Sequence, residues 1–172
     1  MRWGALGVMA LVLAWAPAVS WAADKPAPGS AATAAAPGKA APLPQAQGSA
    51  LAGLGFGDKP FALPDNGTFS MVMNKVAHEV QRNCGALEVF GWEIQPDDQR
   101  RVDKLTDSLI GALRQAKFNV KPVKSTQVSS DTVVYTADRT DRRLLLLQSL
   151  SAPTNRDQLA QLVLVICDTS TR

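Results

Sequence analysis

Residues Thr132–Leu150 read TVVYTADRTDRRLLLLQSL, and the fold class turns on this stretch. Thr132 to Ala137 is rich in branched and aromatic side chains, the composition of a strand. Asp138-Arg139-Thr140-Asp141 reads as a hairpin turn, and Arg142 to Leu150 as the returning strand. The run Leu144-Leu145-Leu146-Leu147 alone suits a helix or a strand. Its shortness and its place after a turn favour a strand with much of both faces covered.

Upstream, Phe118, Val120 and Val123 alternate with polar neighbours, and Pro122 marks that strand as short or as an edge. Before it, Val102, Leu105, Leu109, Ala112, Leu113 and Ala116 form one apolar stripe on a helix. Pro96, Asp97 and Asp98 supply its start, with acidic charge where the helix dipole favours it. Gly111 lies within this helix at a propensity cost of about 1 kcal/mol relative to alanine, which predicts close packing on the sheet there. Leu87 to Ile94 reads as a strand. Phe69, Val72, Met73, Val76, Ala77 and Val80 mark a first helix, with Thr68 as candidate N-cap, an end near Asn83 and Gly85 as its stop. Downstream, a loop from Ser151 to Asp157 containing Pro153 precedes a last strand, Leu159 to Asp168. The order α-β-α-β-β-β-β predicts an α+β two-layer sandwich: two helices on one face of a mostly antiparallel sheet of four to five strands.

The domain expected from these elements spans residues 66–172. Residues 1–22, MRWGALGVMALVLAWAPAVSWA, have the positive start, apolar centre and small-residue end of a signal peptide, with cleavage expected after Ala22. The apolar stretch is nearly as long as a spanning helix needs; Pro17 and the small residues Ser20 and Ala22 favour removal over retention as an anchor. Residues 23–65 read as a tether rich in Ala, Pro and Gly, too poor in large apolar side chains to offset the entropy of ordering. At its end, Phe56, Phe61 and Leu63 are expected to dock on the domain as a strap.

The chain carries two cysteines, Cys84 and Cys167. They bracket most of the predicted domain, and a disulfide between them is expected in an oxidising compartment, periplasmic or extracellular. Eighteen Lys or Arg stand against fifteen Asp or Glu, and the basic doublets Arg100-Arg101 and Arg142-Arg143 do not gather on one element with interleaved aromatics. Nucleic-acid binding is therefore not expected. Contact with a membrane is expected only transiently, through the leader.

No glycine-rich phosphate loop, nucleophile elbow or Cys-x-x-Cys pair is present. His78, the one histidine, falls on the polar side of the first helix and reads as a surface residue. One histidine and two distant cysteines make no metal set, so neither metal nor cofactor is expected. Asp138, Asp141 and Asp168 fall at strand ends, where a carboxylate pair would be needed for glycoside hydrolysis and where turn-forming aspartates are common. Phe90 and Trp92 share one strand face. Under the second helix they would be core, whereas on a bare face they and Tyr135 would form a partner-binding patch. The resulting expectation is an exported, non-catalytic accessory or adaptor protein of the bacterial cell envelope that binds an envelope protein through a sheet edge or this aromatic face. The alternatives are a periplasmic small-molecule or polysaccharide binding module, and a small hydrolase built on strand-end aspartates.

Overall fold

A computed structural model describes residues 42–96, 98–151 and 159–170. The predicted leader, the tether before residue 42 and most of the Pro153 loop lie outside them. Three short strands open the described chain: β1 (Gly48–Ser49), β2 (Leu54–Gly55) and β3 (Phe61–Ala62). Then follow α1 (Thr68–Glu79), β4 (Leu87–Ile94), α2 (Gln99–Gln115), β5 (Asn119–Val123), β6 (Thr132–Arg139), β7 (Arg142–Ser151) and β8 (Ala160–Asp168). The main sheet has six strands in the order β3-β4-β8-β7-β6-β5, every neighbouring pair antiparallel. The α+β class and the antiparallel meander are as the sequence predicts. Arg139 pairs with Arg142, so the hairpin turns on Thr140-Asp141.

The helices, however, do not share a face. Phe90, Trp92, Ile94, Leu144, Leu146, Leu162 and Leu164 join Val102 and Leu113 of α2 in one core. Val89, Leu145, Leu147, Val163 and Val165 join Met73, Val76 and Ala77 of α1 in another. Side chains alternate across a strand, so α1 covers one face and α2 the other. The expectation of both helices on one face is corrected by the leucine run itself. All four of Leu144–Leu147 are buried, which requires an apolar layer on each side of β7.

The sheet's extra strand comes from the expected tether. Residues 42–65 are not a spacer but a strap that rounds the β4 edge. β1 and β2 pair with each other, Phe56 packs against the α2-side core, β3 pairs with β4 at Gly91 and Phe90, and Leu63 reaches the α1-side core. A side chain on Gly91 would meet Leu63 Cδ1 at 2.8 Å, so a glycine is what lets the strap lie this close. Leu51, Leu54, Phe56 and Leu63 of the strap pack on the two cores while Leu43 stays exposed, and Glu88, Trp92 and Arg101 bond its groups at Ser49, Ala50, Leu51 and Asp58. Composition alone does not register that gain.

Local details differ at the helix ends. Gly67, not Thr68, is the N-cap of α1, and Asp65 Oδ1 accepts from the Gly67 and Phe69 amides at 2.9 and 3.2 Å. The helix ends before Gly85. Gln81, at φ 57°, closes it, with Gln81 N–H donating to His78 O and Arg82 N–H to Ala77 O, the paired bonds of a Schellman motif. Lys117 (φ 69°) and Phe118 close α2 in the same way on Arg114 O and Leu113 O. Asp98 caps the start of α2, accepting from Arg101 N–H at 3.1 Å. Gly111 has no neighbour within 4 Å of where a Cβ would stand, so the close packing expected there is absent.

Candidate binding groove

Cys84 and Cys167 are joined in a disulfide, Cα to Cα 5.7 Å, and no free cysteine remains. The bond ties the segment after α1 to the end of β8, and it points to an oxidising environment outside the cytosol. No helix among the described residues is long and apolar enough to cross a membrane.

The aromatic residues read as a possible partner patch are not a surface. Phe90 and Trp92 are buried, 4% and 7% exposed, beneath α2 and the strap. The Phe56 ring stands edge-on to both at 4.9 and 5.6 Å, and Trp92 Nε1 donates to Asp58 O at 2.9 Å. Tyr135 lies half-buried on β6, on the same side, but β8 and β7 separate β6 from β4. The three aromatics are therefore not brought together, and the correction follows from the strap, which occupies the face that composition left bare.

The strand-end aspartates each bond a different partner, with Asp138 Oδ1 left buried and unpaired. Asp138 pairs with Arg82 at 2.7 Å, Asp141 with Arg139 at 2.6 Å, and Asp168 Oδ1 accepts from Ser170 N–H at 2.8 Å. The hydrogen bond from Arg139 is the main cause holding the Asp141 carboxyl below its ordinary pKa, opposite to what a general acid needs. Arg139 is committed elsewhere too, donating to Ala116 O at 3.0 Å and lying 4.5 Å over the Phe118 ring. His78 is exposed on α1. Among the described residues no three His, Cys, Asp or Glu side chains group as a metal site would require.

What does form a concavity is a residue that the leucine run conceals. Gln148 follows Leu144 and Leu146 at strand spacing and so points to the α2 side, where it is 8% exposed. Its Nε2 donates to Thr106 Oγ1 at 2.5 Å, and Thr106 Oγ1 donates onward to Val102 O at 2.9 Å. Thr106 Oγ1 thus accepts from one side chain and donates to its own helix's backbone. Gln148 Oε1 is left buried without a partner. Leaving a buried acceptor unpaired costs about 1–3 kcal/mol.

Gln148 separates two spaces. On one side a cavity of about 40 Å³ lies between the strap, α2 and the sheet, bordered by Phe56, Trp92 and Leu109. On the other a groove of about 770 Å³ runs between the first half of α2 and strands β6 to β8, with Val102, Val133, Leu150 and Leu162 along it. Asp103, Asp107 and Asp131 also line it. Gln99, Asp103 and Asp107 recur at four-residue steps along one side of α2, which is how the helix directs this polar row to the groove while Val102 and Leu113 enter the core. The alternation of Leu144, Leu146 and Gln148 is the sequence signal that exposes the site. The partnership with Thr106 across 42 residues carries no such signal.

Fold and groove together define an α+β domain, disulfide-clamped and strapped at one sheet edge, with a groove of mixed polar and apolar lining on its α2 side. No protein-family model, curated protein or solved structure matches the chain.

Proposed function

We propose that this protein is an exported, non-catalytic binding module of the cell envelope, periplasmic or secreted, and that its recognition surface is the groove between α2 and strands β6 to β8. The observation that carries the reading is Gln148: a buried amide oxygen with no partner, beside a concavity of ligand size. At about 770 Å³ the groove falls within the roughly 300–1,000 Å³ of small-ligand sites, with polar and apolar side chains in similar share along it. The disulfide supports export, and the leader sequence supplies a route.

The two modes first expected for an adaptor have less support. The aromatic face is covered by the strap. The free edge strand β5 carries Lys121 and Pro122, residue types that oppose strand addition. The hydrolase alternative loses its basis in the separate partners of Asp138, Asp141 and Asp168.

A photoreactive residue at Val133, which is 44% exposed and lines the groove, tests the reading in cells that produce and export the protein. Irradiation is expected to give a covalent adduct, visible by intact mass, from Val133→p-benzoylphenylalanine and not from the same substitution at Met71 on α1. Adducts confined to a third variant, Lys121→p-benzoylphenylalanine, would move recognition to the sheet edge and refute the groove.

A further inference from the structure

We propose that Asn66 is a site of spontaneous covalent modification, where attack by the Gly67 backbone nitrogen converts asparagine to isoaspartate at the junction of strap and α1. The chain has five asparagines, and Asn66 is the one followed by glycine; Asn74, Asn83, Asn119 and Asn155 precede Lys75, Cys84, Val120 and Arg156. A side chain on the following residue crowds the nitrogen that must attack, and glycine has none. Asp65, Asn66, Gly67 and Thr68 are all exposed, so solvent reaches the reacting atoms.

The local bonds suit the chemistry. Gly67 N–H donates to Asp65 Oδ1 at 2.9 Å, so a carboxylate stands at the proton the nitrogen must lose, within the reach a general base needs. The Ser70 hydroxyl, first among its partners, holds that carboxyl below its ordinary pKa, which keeps it ionised at neutral pH. Thr68 N–H donates to Asn66 Oδ1 at 3.2 Å. That bond bends the side chain toward the following peptide and puts a donor on the oxygen where charge develops as Cγ becomes tetrahedral. In the first step the bond from Gly67 N to Asn66 Cγ forms and the Cγ–Nδ2 bond breaks. Ammonia leaves with the proton given up by Gly67, and a five-membered imide remains. Water then opens the ring. Attack at the main-chain carbonyl leaves the chain running through the side-chain carbons as isoaspartate, and attack at Cγ leaves aspartate. Asp65 Oδ1 also accepts from Phe69 N–H at 3.2 Å, so an extra methylene between residues 65 and 67 takes this cap of α1 out of register.

The test is incubation of the folded, exported protein at mildly alkaline pH in water enriched in heavy oxygen, followed by peptide mapping by mass spectrometry. One solvent oxygen is expected at residue 66, a gain of three daltons, with isoaspartate the larger product and no label at Asn74, Asn83 or Asn119. Asn66→Gln should abolish the label at an unchanged melting temperature. The isoaspartate fraction, isolated chromatographically, should protect the Phe69 amide from exchange less well than the Asn66→Asp variant does. The peptide acetyl-Leu-Pro-Asp-Asn-Gly-Thr-Phe-amide gives the rate without the fold, and the protein should convert at least as fast. Conversion of the peptide while the folded protein keeps Asn66 would overturn the proposal, and so would equal labelling at the asparagines not followed by glycine.

Discussion

Ser49 Oγ donates to Glu88 Oε2 at 2.5 Å, a bond that spans 39 residues of chain and anchors the strap to the sheet. The same carboxylate accepts from Ala50 N–H at 3.0 Å and Leu51 N–H at 3.3 Å, while Ser49 Oγ accepts from Ala52 N–H at 2.9 Å. One acidic side chain on β4 thus satisfies most of the turn between β1 and β2. Removing it leaves a buried hydroxyl and two amides without their acceptor. Glu88→Ala is expected to destabilise the protein by about 2–3 kcal/mol, read from urea denaturation. In a chain lacking residues 1–22, Trp92 is the sole tryptophan, so opening of the strap should shift its emission to the red. Unchanged emission together with an unchanged midpoint would show that the strap does not depend on Glu88.

The disulfide closes a loop of 83 residues, and restricting an unfolded chain over that separation contributes about 4–5 kcal/mol by the chain-entropy argument. It acts where backbone bonds already join the same segments: Gly85 N–H to Asp168 O at 2.8 Å and Asp168 N–H to Ala86 O at 2.9 Å. Cys167→Ala should melt well below the parent, and the unreduced parent should take up no alkylating reagent. A reactive thiol in the unreduced protein would contradict the bond.

Gly111 offers a stabilising change. With no atom within 4 Å of the Cβ position, alanine there restores helix propensity without a clash. Gly111→Ala is expected to add about 1 kcal/mol and to raise the melting temperature by several degrees. A lower melting temperature would reveal packing at that site after all.

Glu79 holds the loop after β5 against α1. Its carboxylate accepts from Ser125 Oγ at 2.5 Å and from Thr126 N–H at 2.9 Å. The Ser125 hydroxyl, followed by the Thr126 groups, holds its pKa below the ordinary 4.5. The folded pKa is depressed, so the contribution is fully present above 4.5 and is lost as pH falls through the folded value. The Thr126 amide protection factor is expected to drop across that acidic range and to become pH-independent in Glu79→Gln. The same acidic drop in Glu79→Gln would assign the effect to another group.

Much of the fold was legible because it is local. The apolar stripes of α1 and α2, a hairpin turn within Asp138–Asp141 and the strand character of Leu144–Leu147 all follow from spacing within a few residues, while the pairing of Asp138 and Arg139 within β6 narrows the turn to Thr140-Asp141. The site was less legible. Trp92 and Phe90 read as core or as patch depending on whether the second helix covers their face, and α2 and the strap together do so. Gln148 gave a readable parity but no readable partner, since Thr106 lies on another element.

The sequence by itself determined which side of each helix and strand is apolar, where the hairpin turns and which two cysteines are available to pair. Periodicity fixes how an element is oriented about its own axis. It does not say which layer that apolar side will meet. Only the tertiary structure decided that α1 and α2 take opposite faces, that a weakly apolar strap closes the β4 edge through Ser49 and Glu88, and that Gln148 is left with an unpaired oxygen beside a groove. Each of these depends on contacts between residues far apart in the chain, whose free energy exists only once the intervening elements have packed.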